Sequence, residues 1–295
     1  MKRLTAFLLT FGLVFSLAAC GSEGKTSEDT SSEASNSASS QSSETASSET
    51  PSSDAKKLKV GASSVPHAEI LEQAKPILAE KGVDLEIVVF DDYVLPNVAL
   101  DQGDIDANYF QHKPYLEMFN ENKGTKLVPV ADIHYEPLGV YPGKTAALDT
   151  IAEGAQIGIP NDGSNEARAL YLLEELGLIK VNHEAGYEAT PMDITENTKK
   201  IEFVEMDADK LPAAIKDLDL AVINGNYAIA SGINDTVLAS EDKESDAAKT
   251  YANVIAVKEG NEESETVKLL LEALADERVK TFISEKYKGS VVSMN

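Results

Sequence analysis

Between residues 57 and 257 the chain alternates short β-branched runs with stretches whose apolar positions recur at helical spacing. A first strand is predicted over 57–62. Ile70, Leu71, Ala74, Ile77 and Leu78 then share one face of a helix over 66–81, which Gly82 stops. A buried strand over 85–90, a short helix over 95–100 and a strand over 105–110 follow. This β-α-β-α-β order predicts a parallel sheet with helices on both faces. A strand-like run over 127–140 is interrupted by Pro129 and Pro137. The alternation resumes with strands over 156–160, 201–205, 218–223 and 252–257, helices over 164–176 and 210–216, and closing helices over 263–275 and 277–286. The pattern predicts two α/β lobes, 58–137 with 251–295 and 138–250, with crossings near Pro137-Leu138 and between Thr250 and Ala252.

Residues 1–57 lack such a pattern. Lys2-Arg3 precedes an apolar run from Leu4 to Ala19, too short for a lasting transmembrane helix, so residues 1–19 read as a secretory signal peptide. Small residues lead into Cys20, the only cysteine, as in a bacterial lipobox. Cys20 is therefore the expected lipidation site, with the protein held on the extracellular face of the cell membrane. One exported cysteine leaves no intramolecular disulfide. Residues 20–57 continue as a Ser-, Thr-, Glu- and Ala-rich tract that cannot bury enough surface to offset its ordering entropy. They predict a disordered tether with a root-mean-square span of about 30–36 Å. A formal net charge of -24 argues against nucleic-acid binding and against adhesion to anionic lipid, and says nothing about a ligand.

Candidate chemistry sits at predicted element ends. Tyr109, Phe110, His112 and Tyr115 crowd one stretch, Asp104 to Tyr115, of a chain with no Trp. A strand there ends near Phe110, and Lys113-Pro114 opens a helix. The carboxyl ends of strands in open α/β sheets are where ligands bind, although the same rings would also serve as core. Tyr109 should point away from the face of Phe110 by strand alternation. Tyr93 follows the preceding strand and lies on the same sheet edge if the two run parallel. Two rings there could sandwich an apolar side chain, and a thioether suits them.

Arginine is used only at Arg3, Arg168 and Arg278. Arg168 falls in the first turn of a helix that follows Ile159-Pro160-Asn161-Asp162. A cation there opposes the helix dipole unless an anion is bound, and Arg offers the bidentate geometry for a carboxylate that Lys lacks. A salt bridge to one of the many acids is the alternative. Asn197 and Asn224 also lie at element ends. An Asn amide can accept from an ammonium or donate to a carboxylate, and it is equally suited to turns and caps.

Several motifs occur in order: Gly61-Ala62, Pro66 to Leu71, Asp104 to Tyr115, His134 to Gly139, Ile159 to Asp162 with Asn165 to Leu170, Asp193 to Asn197, and Ala221 to Tyr227. Together they make the chain resemble the methionine-binding lipoproteins of ABC importers, the NlpA type. The resemblance runs from about Lys59 to Val257. It implies a two-lobed, type II-like periplasmic-binding-protein fold that closes on L-methionine in a cleft between the lobes, with an ABC permease and ATPase as partners and no cofactor. By matching motif, Tyr93 and Phe110 would pack on the methionine side chain. His112 and Tyr115 would line the same pocket, Arg168 would hold the carboxylate, and Asn197 and Asn224 would bond the amino-acid backbone. Tyr109 stands where the family often has Phe, and Ser63-Ser64-Val65 departs from the commoner pattern in a loop that would face the cleft.

Other readings have less support. His67, His112, His134 and His183 form no close ligand-spaced pair, so no metal site is expected. No nucleophile elbow, phosphate loop or zinc-protease motif suggests an enzyme. A purely adhesive lipoprotein leaves the lone Arg and the polar element ends unexplained. A methionine-containing dipeptide, D-methionine or another small amino acid remains the nearest alternative ligand.

Overall fold

The computed structural model describes residues 55–294; the predicted signal peptide, Cys20 and nearly all of the predicted tether lie outside them. Strands β1 (Lys56–Ser63), β2 (Val83–Phe90), β3 (Ala107–His112), β4 (Leu127–Tyr135), β5 (Gly139–Pro142), β6 (Gln156–Pro160), β7 (Lys180–Val181), β8 (Ile194–Glu196), β9 (Glu202–Met206), β10 (Leu220–Ile223), β11 (Ala239–Ser240), β12 (Asn253–Lys258) and β13 (Val292–Ser293) build the sheets. Helices α1 (Glu69–Glu80), α2 (Leu95–Gln102), α3 (Lys113–Lys123), α4 (Gly163–Glu175), α5 (Leu211–Ala214), α6 (Gly225–Ala230), α7 (Asp246–Thr250), α8 (Glu265–Leu274) and α9 (Glu277–Tyr287) connect them.

Two sheets dominate. The first has the order β13-β4-β12-β3-β1-β2 and the second β11-β5-β10-β6-β9; β7 and β8 form a separate ribbon. The chain passes from the first sheet to the second after Tyr135 and returns before Asn253. Each sheet carries apolar clusters on both faces. On the first, Ile70, Leu71, Ala74, Ile77 and Leu78 of α1 pack with α8 and α9, while Leu100, Phe110, Leu116 and Phe119 pack opposite. Full burial of each large aliphatic side chain contributes about 1.5–3 kcal/mol. On the second sheet, Leu170 and Leu173 of α4 pack on Ile157, Ile159 and Val222, and Leu211 and Ala228 pack near Ile223.

The parallel pairing expected of the first three strands is present, with β1 parallel to both β2 and β3. The sheet as a whole is mixed, because β12 runs antiparallel to both β3 and β4. The reason is topological. β12 enters the first sheet from the crossing, so it runs away from the edge at which β3 and β4 end. Asn253, its first residue, is consequently aligned with His112 on one side and His134 on the other. β10 likewise pairs parallel with β6 and antiparallel with β5. The run expected over 127–140 is two strands in two sheets, broken at Glu136, Pro137 and Leu138. The helix expected from residue 66 begins at Glu69, and the one expected over 210–216 is only Leu211–Ala214, flanked by tighter turns.

Candidate functional site

β3 is buried along its whole length, and its last residue caps the next helix. His112 Nδ1 accepts from the Tyr115 N–H at 3.2 Å, and Pro114 occupies the first turn of α3, where its missing N–H costs nothing. On the second lobe, Asp162 accepts from the Asn165 N–H at 3.1 Å and so caps α4. This fixes Asn165 and Arg168 on the first turns of that helix.

These ends meet in a cavity lined by Tyr93, Phe110, His112, Tyr115, Arg168 and Asn224, together with Gln111, Glu136, Asn165, Gly225, Asn226 and Asn253. Six of the seven ligand-contact candidates read from the sequence are thus brought together. Asn197 is not. Its amide donates to the Ile201 carbonyl at 2.9 Å and accepts from the Ile201 N–H at 2.8 Å, closing the turn that leads into β9. It sits beside the amino end of β9, whereas Arg168 follows the carboxyl end of the adjacent β6. Asn197 is therefore a turn former at the far edge of the sheet, the alternative that any Asn at an element end carries.

One wall of the cavity is aromatic. The Tyr93 ring lies 5.8 Å from both Phe110 and Tyr115, centroid to centroid, and 4.9 Å from Tyr227. Tyr109, by contrast, turns to the opposite face of β3. It packs with Ile133 and Ile255, and its hydroxyl bonds to His134 Nδ1. The opposite wall is polar. Arg168 is 4 % exposed and forms a bidentate pair with Glu241, Nε to Oε1 at 2.7 Å and Nη2 to Oε2 at 2.6 Å. Nη2 also donates to the Glu136 carbonyl at 3.0 Å, and the guanidinium lies 4.2 Å from the centre of the Tyr251 ring. The salt bridge and the cavity position are therefore both real: Glu241 orients a guanidinium whose Nη1 has no protein partner among the described residues. Asn224 Nδ2 donates to Asn165 Oδ1 at 2.8 Å, and Asn224 Oδ1 is buried with no hydrogen-bond partner among the described residues.

Burial governs the ionisation of the site. It pulls His112 down to about 3, with Arg168 acting in the same direction, so His112 is a neutral imidazole whose Nε2 faces Asn165 Oδ1 at 3.2 Å. Burial also pushes the Glu136 carboxyl up to about 7, opposed by His67 and Arg168. Burial alone would raise Glu241, but Arg168 and the donors of Tyr135 and Leu138 outweigh it and hold that carboxyl below its ordinary range.

The lobes touch across the cavity. The Tyr93 hydroxyl donates to Asn226 Oδ1 at 2.6 Å, and the Tyr227 hydroxyl donates to the Asp91 carbonyl at 3.1 Å. The unusual loop Ser63-Ser64-Val65 lines a neighbouring recess with Asn226 and Tyr227, so it does face the cleft rim. The fold also gathers groups whose sequence spacing carried no signal: ligand-type atoms of His67, His134 and Glu136 lie within 4.8 Å of one another. His134 Nε2 pairs with Glu136 Oε1 at 2.7 Å, whereas His67 Nε2 pairs with Asn253 Oδ1 at 2.9 Å.

Gln111, Glu136, Asn165, Gly225, Asn226 and Asn253 are the lining residues that single-residue reading missed. All but Asn253 lie inside recognised motifs, but nothing local told their direction; Asn253 enters only because β12 inserts between β3 and β4.

The sequence profile described as NlpA lipoprotein matches residues 58–295. A relative from Bacillus subtilis (strain 168), named methionine-binding lipoprotein MetQ, is 40% identical over 244 residues, covering 81% of this chain and 89% of that one. A relative from Escherichia coli (strain K12), named D-methionine-binding lipoprotein MetQ, is 38% identical over 244 residues, covering 81% and 89%. Among solved structures, a nutrient binding protein from Burkholderia cenocepacia bound to methionine superposes with a TM-score of 0.77 at 40% identity, covering 81% of this chain and 100% of that one.

Proposed function

Because the chain belongs to the NlpA lipoprotein family, we propose that it is a solute-binding protein that captures L-methionine between its lobes and delivers it to the permease and ATPase of an ABC importer. The observation that carries this reading is the pairing, in one cavity, of an aromatic wall with an oriented guanidinium. Tyr93, Phe110 and Tyr115 offer the polarisable surroundings that a thioether favours, worth about 0.3–1.5 kcal/mol beyond burial. Arg168 offers its uncommitted edge to a carboxylate, and the Asn224 amide oxygen offers an acceptor to an ammonium. Solutes of this kind bridge the lobes and favour the closed state, so the role is capture and release without a catalytic step.

Cys20 supplies the membrane anchor in this proposal, holding the domain at the extracellular face of the cell membrane. D-methionine is the second reading, favoured by the name of the Escherichia coli relative. Calorimetry on ligand-stripped protein, titrated with L-methionine, D-methionine and a methionine dipeptide, separates these. Tight binding of L-methionine is expected. Silence with L-methionine alongside tight binding of another solute would sink the reading.

A further inference from the structure

Glu136 stands at the crossing between β4 and β5, is 5 % exposed and lines the cavity. Its placement is built from several elements. His134 Nε2 lies 2.7 Å from Glu136 Oε1, and the Tyr109 hydroxyl is bonded to the other nitrogen of that imidazole. His67 Nε2 lies 3.4 Å from the same oxygen while bonding Asn253. Gly225 opens α6 against Glu136: a Cβ at that position would lie 2.8 Å from Glu136 Cβ and 2.9 Å from Oε2. The Glu136 carbonyl is meanwhile held by Arg168. One peptide unit thus sets a carboxyl group and a guanidinium side by side, and the unpartnered Asn224 Oδ1 faces the same cavity.

A ligand bearing only a carboxylate would leave the buried Glu136 carboxyl group without a partner of opposite charge. A free amino acid, whose two charges sit on one carbon, matches both groups at once. We propose that Glu136 is the acceptor that recognises the ligand's free α-ammonium, and that His134, His67 and Tyr109 are positioning residues that hold it for that task from behind the cavity wall. The assignment rests on the amino-acid reading of this site and adds the group that enforces it.

The ionisation of the cluster is consistent with this geometry. Burial pulls His67 to about 4 and His134 to about 3, so both are neutral donors, and it pushes Glu136 up to about 7. The titratable and charged groups facing Glu136 are His67 ahead of α1, Tyr109 of β3, His134 of β4, Arg168 of α4 and, through Arg168, Glu241, with the hydroxyls of Tyr93, Tyr141 and Tyr287 farther off. A bound ammonium favours the carboxylate, so binding near neutral pH releases the proton that the free site holds.

The test is calorimetry on the full-length, ligand-stripped chain in detergent, using L-methionine and its desamino analogue in buffers of different ionisation enthalpy. At about pH 6, methionine is expected to release close to one proton. It should also bind about a hundredfold or more tighter than the analogue, because a site built for a donor rejects a ligand that lacks it. Affinity should fall about tenfold per pH unit below about pH 7. Glu136→Gln should abolish the proton release and narrow the preference to below about tenfold. Tyr109→Phe should move the midpoint of the pH profile upward, which a purely structural loss would not do. The assignment is overturned if the native chain binds the desamino analogue within about threefold of methionine, or if Glu136→Gln keeps both proton release and preference. If methionine fails while another amine-bearing solute binds with proton release, the methionine reading falls and the role of Glu136 stands. If the solute that binds carries no amine, both fall.

Discussion

Arg168 holds Glu241 and, in the proposed function, the ligand carboxylate, two duties that are hard to separate in a variant. Arg168→Ala should weaken ligand binding by about 1.5–3 kcal/mol through loss of charged hydrogen bonds. It should also strand the buried Glu241 carboxylate, at a cost of about 3–5 kcal/mol in stability. Combining Arg168→Ala with Glu241→Gln should recover much of the stability and none of the affinity, which urea unfolding and calorimetry on the same samples resolve. The buried ionisable groups make a second residue-scale prediction. His67, His112 and His134 all titrate well below an ordinary imidazole because burial disfavours their charge. Their contribution to stability is complete above the unfolded value of about 6.5 and declines as pH falls toward the folded values. Glu136 and Glu166 have the opposite sign. Burial raises both, Glu166 to about 8, so their contribution is full at acid pH and lost as pH rises through the folded values. Three imidazoles outweigh two carboxyls, so unfolding between about pH 6 and 5 should take up about one net proton from these groups, or about 1.4 kcal/mol per pH unit. Removing the offset with Glu136→Gln should make the fall steeper. An unchanged slope in urea midpoints would show that Glu136 is ionised in the free protein.

At the scale of elements, the lobes meet where side chains beside two helix starts touch. The Tyr93 hydroxyl reaches Asn226 on α6 from the other lobe. Tyr93→Phe keeps the ring against Phe110 and removes only that bond, so affinity should fall by about 0.5–1.5 kcal/mol with little change in the melting temperature of the ligand-free protein. Gly225 tolerates no side chain because Glu136 occupies its flank. Gly225→Ala should therefore displace Glu136 and weaken binding by at least about tenfold, even though alanine favours the helix by about 1 kcal/mol. A neutral outcome in calorimetry would mean that the crossing segment yields more easily than its burial implies.

For the whole molecule, both crossings pass beside Arg168: Glu136 of the first accepts from it, and Tyr251 of the second lies under it. The Arg168 guanidinium is thus fastened to both crossings between the lobes. Ligand at about a hundred times its dissociation constant should raise unfolding stability by about 2.7 kcal/mol, with a smaller radius of gyration in solution scattering; a radius that did not change would argue against hinge closure. Cys20→Ala should release the protein from the membrane fraction, and its retention as a lipidated product would remove Cys20 as the anchor.

Much of this was legible in the chain. The helical stripe from Ile70 to Leu78, the strand-turn-helix around Phe110 and His112, and the isolation of Arg168 are local patterns, and periodicity and composition report local patterns directly. Asn197 closes a turn away from the cavity, which its sequence context does not disclose, because an amide at an element end looks the same whether it closes a turn or meets a ligand. Strand direction in the first sheet was also hidden, since β12 owes its orientation to the return crossing and not to its own residues. The sequence alone determined most of the larger strands and helices, where aromatic and cationic groups are concentrated, and the family. Only the tertiary structure decided that Glu136, His134, His67, Tyr109 and Asn253 form one buried network behind the cavity. The physical reason is that these residues come from three strands, the segment ahead of α1 and the chain crossing between the lobes, so their hydrogen bonds exist only once the sheet has assembled.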